Sequence, residues 1–157
     1  MSVRENETEA ERLDRNFADL LQELRVAQAG VQILFAFLLT LPFAARFGEI
    51  DRFEQAVYIG ALFSAALATA CIIAPVAFHR MLFRHGQRRW LVTAANWAAR
   101  AGLLALAFTT SGVVWLVFDL VTDRALASVA GAASLVFFAT LWVVVPLRAP
   151  RAQEPTG

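Results

Sequence analysis

Four polar side chains fall within or beside otherwise apolar stretches at spacings that let them act in pairs: Gln28 with Gln32, and Asn96 with Arg100. Residues four apart share one face of an α-helix, so each pair would present two donors or acceptors side by side. If both pairs sit at the same depth, two amides, an asparagine and a guanidinium could line one small site open to one membrane face. Such a set suits an anion, a lipid headgroup or a small polar substrate. The simpler expectation is that these groups hydrogen-bond between helices and fix their packing.

Carboxylates are the other groups to place, because proton-coupled transport usually requires an ionisable side chain inside the membrane. All thirteen lie before residue 24, in 49–54, at 119 and 123, or at 154, and so outside the deep apolar runs. Asp119 and Glu54 are nearest to those runs and are the candidate proton carriers, with helix capping or an interfacial role as the alternative. His79 and His85 are six apart, fall on different helix faces and have no acid nearby, so no metal site is expected. The single cysteine, Cys71, sits mid-run and reads as a small buried hydrophobe. No cofactor is expected, since paired histidines at matching depth, which haem would need, are absent. No phosphate-cradling glycine loop, zinc-protease pair or nucleophile elbow is present either, so the chain is not expected to be an enzyme.

The elements that would position these residues follow from hydropathy. The chain has 157 residues and is 59% hydrophobic, well above the roughly 45–50% of a soluble domain. A hydrocarbon layer of about 30 Å takes roughly 20 apolar residues as helix, and four segments qualify: 27–45, 55–78, 100–119 and 125–147. Lipid offers no partners to backbone amides, so each must be helical. The expected fold is all-α, a four-transmembrane-helix bundle in one domain over 9–147. Pro42, Pro75 and Pro146 fall near segment ends, where a missing amide costs least. Ahead of the first segment, Leu13, Phe17, Leu20, Leu21 and Leu24 recur at helical spacing with Arg12, Arg15, Asp19, Gln22 and Glu23 between them. This is an amphipathic helix starting near residue 9, with Thr8 and Glu11 in capping-box spacing. It would lie on the membrane or a partner, or simply extend the first span. Residues 1–8 and 148–157 read as disordered ends.

Every basic residue is Arg. The segment from His79 to Trp90 carries Arg80, Arg84, Arg88 and Arg89 without an acid, a pattern suited to anionic lipid headgroups. With the N-terminal segment and the C-terminal tail, this side of the membrane collects ten Arg, against Arg46, Arg52 and Arg124 on the other. The positive-inside rule then places both termini in the cytoplasm, with the chain in the cell membrane. Membrane lipids and another membrane protein or a second copy are the expected partners, and nucleic acid is not. Arg100 lies about 28 Å along the helix from Asp119, near the inner boundary, where it would snorkel unless a tilted helix buried it. Residues 90–99 would then continue the same helix below the membrane plane. Gly60, Ser64 and Ala68, and Ala127 and Gly131, are small residues at four-residue spacing that permit close helix contact.

The run LLQELRVAQAGVQILFAFLLTLPF (Leu20 to Phe43), followed by IIAPVAFHRMLFR (Ile72 to Arg84), resembles an actinobacterial family of small four-span membrane proteins of unknown function. The likeness covers roughly residues 12–147 and rests most on the Gln-Glu-Leu-Arg entry at 22–25 with Gln28, Gly30 and Gln32, and on Pro75 with His79-Arg80. Members of that family are often labelled sodium:proton antiporters, so the resemblance implies cation and proton exchange as the alternative to a packing or interaction module.

Overall fold

A computed structural model describes residues 9–45, 47–82 and 88–148, and among these it contains helices and no strand. Helix α1 runs Glu9–Thr40, α2 Arg52–Leu82, α3 Arg88–Val121 and α4 Arg124–Ala139. The last of these continues through a π-helical turn at Thr140–Val144 into a final short helix, α5, at Val145–Arg148. Four stretches are long and apolar enough to cross a membrane: Arg15–Phe43, Arg52–Met81, Trp90–Val121 and Arg124–Arg148. Thr8, Arg84 and His85, and both ends of the chain, lie outside the described residues. So do the side chains of Leu13, Arg88 and Arg89.

The N-terminal amphipathic helix is present and enters the first span without a break, as the uninterrupted helix α1. Its apolar face explains this. Phe17 is buried with Leu91 and Ala95 of α3, while Leu20, Leu21, Phe78 and Val92 pack around them. The Phe17 ring also stacks on the His79 imidazole at 5.2 Å between centroids. The helix therefore docks on α2 and α3 instead of turning away along a surface. Toward the other end, Leu24 and Val31 meet Ala68, Ile72, Ala99 and Ala105, and then Leu38 meets Tyr58, Ala61 and Ala65. Alanine predominates where α2 and α3 face each other, because in lipid the helices gain by close van der Waals approach and not by hiding from water.

Proline placement follows local hydrogen bonding. Pro42 is the second residue of a 3₁₀ turn at Leu41–Phe43 that ends the first span. Pro75 lies inside α2. Pro146 has no amide to return to the preceding turn, and ahead of it the Val145 amide donates to the Thr140 carbonyl, five residues back. This widened turn has a consequence for packing. Helix α4 touches α3, but its backbone stays beyond 8 Å from α1 and α2, and from Thr140 onward the chain leaves α3 by the same measure. Only 6% of the fourth span's most apolar window is buried, against 33% for the third. The fold is a three-helix core with a fourth helix leaning on one member and splaying from it at its far end.

Length differences complete the picture. The 34 residues of α3 extend about 51 Å, more than the hydrocarbon layer and headgroups together. The fourth stretch, with 25 residues, extends about 37 Å. The excess of α3, with the first turns of α1 and the end of α2, projects past the end of the fourth span at the Arg-rich end.

Candidate functional site

The two polar pairs sit on different surfaces. On α1 the core-facing residue of that turn is Val31, which is almost fully enclosed; Gln28 is half-buried beside it and Gln32 is exposed. On α3, Ala95 and Ala99 face the core, and Asn96 and Arg100 stand one position on, rotated by about 100°. Both are exposed. Among the described residues no hydrogen bond joins any two of these four. Arg100 is not enclosed by the bundle. It points to the flank of α3 where the fourth span departs, lining a groove with Leu103, Leu104, Trp142, Val143, Pro146 and Leu147.

Polar groups inside the bundle are few and satisfied by neighbouring backbone. Ser64 donates to the Ala105 carbonyl at 2.8 Å, tying α2 to α3, and buried Thr109 donates to the same carbonyl at 2.9 Å. Tyr58 donates from α2 to the Leu38 carbonyl at 3.1 Å. Ser111 and Ser134 meet at 3.3 Å between α3 and α4. Among the described residues no buried side-chain nitrogen or oxygen lacks a partner, and no three His, Cys, Asp or Glu side chains come together in a way that could hold a metal ion. Cys71 is half-buried.

An electrostatic arrangement joins the two loops at the acidic end. Asp51 caps α2: its Oδ1 accepts from the amides of Phe53 and Glu54, and its own amide donates to Glu54 Oε2 at 2.6 Å. Asp123 caps α4 in the same way through Ala125 and Leu126. Arg124 then bridges the loops, reaching Asp51 Oδ2 at 2.6 Å and Asp119 Oδ2 at 3.6 Å. Its guanidinium lies over the rings of Phe53 and Trp115, at 5.4 and 5.9 Å from their centroids, which themselves meet edge to face. Trp115 donates from its indole nitrogen to Ser128, which donates to the Arg124 carbonyl. The amides of α2, first that of Glu54, and then the Arg124 guanidinium hold the Asp51 carboxyl below its ordinary range. The two candidate proton carriers thus have structural partners: Glu54 closes the capping box, and Asp119, only 7% exposed, faces Arg124. Arg124 itself was not singled out from the sequence. The available signal was an isolated Arg between Asp119, Asp123 and the acidic 49–54 loop.

A second groove lies higher on the bundle, between α2 and α4 and floored by α3. It encloses about 490 Å³ and is lined by Phe53, Gly60, Ser64, Gly112, Trp115 and Gly131 among others. Small residues divide here into two kinds. Gly131 is buried against Trp115, and a Cβ on it would lie 3.1 Å from the Trp115 Cβ. Gly60 faces the groove, and a Cβ there would meet nothing within 4 Å. The spacing of small residues in α2 therefore serves packing at Ser64 and Ala68 but leaves an unfilled surface at Gly60.

Compared with known proteins, residues 6–146 match the model of a family described as a family of unknown function, DUF6328. No curated protein and no solved structure matches the chain.

Proposed function

We propose, for a chain that belongs to the DUF6328 family of unknown function, that it is a non-enzymatic membrane module that receives a transmembrane helix of another chain in the groove between α2 and α4. The observation that carries this reading is the fourth span, which leans on α3 alone and leaves Gly60, Gly112 and Ser64 lining an open trough. Small residues at such a surface let a second backbone approach closely. A second copy is the simplest occupant, because the exposed fourth span can itself supply the entering helix. The ten-to-three distribution of Arg supports placement in the cell membrane with both termini in the cytoplasm.

Gly60→Leu tests the docking surface, since the new side chain enters open space and should leave the fold intact. Crosslinking in native membranes and light scattering in mild detergent should show an oligomer or a defined complex for the wild type. The variant should show a monomer with unchanged helicity. A wild type that stays monomeric in both measurements defeats the reading.

Sodium:proton exchange is the competing reading. It would need Asp119 or Glu54 to load and release a proton, yet one faces Arg124 and the other caps a helix. Liposomes holding a pH dye under a sodium gradient decide between them. Proton flux that Asp119→Asn abolishes would establish exchange.

A further inference from the structure

We propose that the wedge between α3 and the end of the fourth span is a binding site for one anionic phospholipid of the leaflet at the Arg-rich end. Three observations converge on it. The first is its shape. The α3–α4 contact is tight at Gly131, where Trp115 lies against the glycine, and is lost beyond Thr140, where the π-helical turn ahead of Pro146 carries the chain away from α3. The result is a cavity of about 380 Å³, within the range of small-ligand sites, open along one side to the surrounding lipid.

The second is its chemistry. Leu103, Leu104, Val143, Pro146 and Leu147 make the walls apolar, which suits an acyl chain and excludes a free anion as the natural occupant. Among the described residues Arg100 supplies the one charge of the lining, and no carboxylate pairs with it. A guanidinium beside an apolar wall at membrane depth needs an anion that arrives with its own hydrocarbon, which is the definition of a phosphatidyl headgroup on its chains. Trp142 adds an amphipathic ring of the kind that sits at the headgroup level, held 4.8 Å from Phe138.

The third is depth. From Arg100 to Val121 α3 rises about 32 Å, and from Arg124 to Trp142 the fourth span descends about 27 Å, so the two residues, which line the same wedge, lie within about one helical turn of each other in depth, about a hydrocarbon thickness from the acidic end. Beyond that level α3 continues toward Arg88 while the fourth stretch ends at Arg148. A headgroup there would lie against the projecting flank of α3, with its chains running back into the wedge.

Native mass spectrometry of the full-length protein, titrated with dioleoyl phosphatidylglycerol or dioleoyl phosphatidylcholine in mild detergent, tests the site. One phosphatidylglycerol should be retained about fivefold more strongly than phosphatidylcholine, the ratio expected of a single basic side chain near a membrane surface. Arg100→Gln should remove the preference, Arg100→Lys should keep most of it, and Arg52→Gln, exposed at the opposite, acidic end of the bundle, should leave it unchanged. Leu104→Trp, at an exposed position of the wall, should weaken both lipids by filling the wedge. Circular dichroism reports folding, and if Arg100→Gln unfolds, Leu104→Trp carries the test. Equal retention of the two lipids, a preference that a folded Arg100→Gln leaves intact, or retention that Leu104→Trp does not weaken overturns the proposal. Full displacement by inorganic phosphate also overturns it, by reducing the site to a simple anion site.

Discussion

Arg124 reaches back 73 residues to place its guanidinium 2.6 Å from the Asp51 carboxylate, and this one contact closes the acidic end of the bundle. The loops that enter α2 and α4 have no other direct polar link among the described residues, and α4 keeps its backbone away from α2. The pair is half exposed, and such pairs contribute little on their own. Here the same guanidinium also covers Phe53 and Trp115, so losing it disturbs an aromatic contact between α2 and α3 as well.

Arg124→Gln should therefore lower the thermal midpoint in detergent by more than Arg148→Gln, which lies in the last turn of the fourth stretch. A double-mutant cycle with Asp51→Asn should give a coupling well above that of a surface pair, because the ion pair and the ring contacts fail together. Additive effects of the two substitutions would show that the loops are held by the rings alone.

The pH dependence of that cap has a defined sign. Asp51 is ionised more readily in the folded protein than its ordinary value of 3.8, owing first to the Glu54 amide and then to Arg124. A carboxyl depressed by folding adds stability that is fully present above the unfolded value and disappears as pH falls through the folded one. The stability difference between wild type and Asp51→Asn should be constant at neutral pH and shrink only below 3.8. A difference that shrinks at higher pH would assign the effect to another group.

In the core, Tyr58 crosses from α2 to the Leu38 carbonyl at 3.1 Å, and both residues are buried. Tyr58→Phe keeps the ring against Phe47 but takes the hydroxyl donor away from the Leu38 carbonyl, whose i+4 residue, Pro42, has no amide to replace it. The expected loss is about 0.5–1.5 kcal/mol, toward the lower part of that range because membrane hydrogen bonds average about 0.6 kcal/mol. Reversible unfolding in mixed micelles measures it, and an unchanged midpoint would mean the hydroxyl adds nothing to helix packing.

The contrast between these residues shows what hydropathy alone can reveal. Four spans, their helical state and the long third helix follow from composition and length, because lipid leaves the backbone no alternative. Asp51 and Asp123 cap the helices that follow them, a role that suits acidic residues standing just before apolar runs. Arg124 was legible only as a charge in an acidic loop, since pairing across 73 residues depends on how α2 and α4 are set around α3. The separation of Gln28 and Gln32 from Asn96 and Arg100 was hidden for the same reason. Spacing places two residues on a face, but only packing decides which way that face turns. The wedge beside Arg100 depends on α4 leaving α3 at Thr140, for which Pro146 was the sole sequence signal.

Two glycines give the sharpest test of the packing described. A Cβ on Gly102 would lie 2.9 Å from Ile72 Cγ1 and 3.3 Å from Cys71 Cβ, and Ile72 is among the most completely buried side chains, so the contact cannot relax outward. Gly102→Ala gains about 1 kcal/mol of helix propensity but meets an overpacking cost of about 1–3 kcal/mol, and the balance should be destabilising. Gly60→Ala gains the propensity term of about 0.5–1 kcal/mol with nothing within 4 Å to oppose it, and should stabilise the isolated chain. Measured side by side in the same detergent, the two substitutions should move the thermal midpoint in opposite directions. Equal shifts would mean that α2 and α3 are not packed at Gly102 as closely as described.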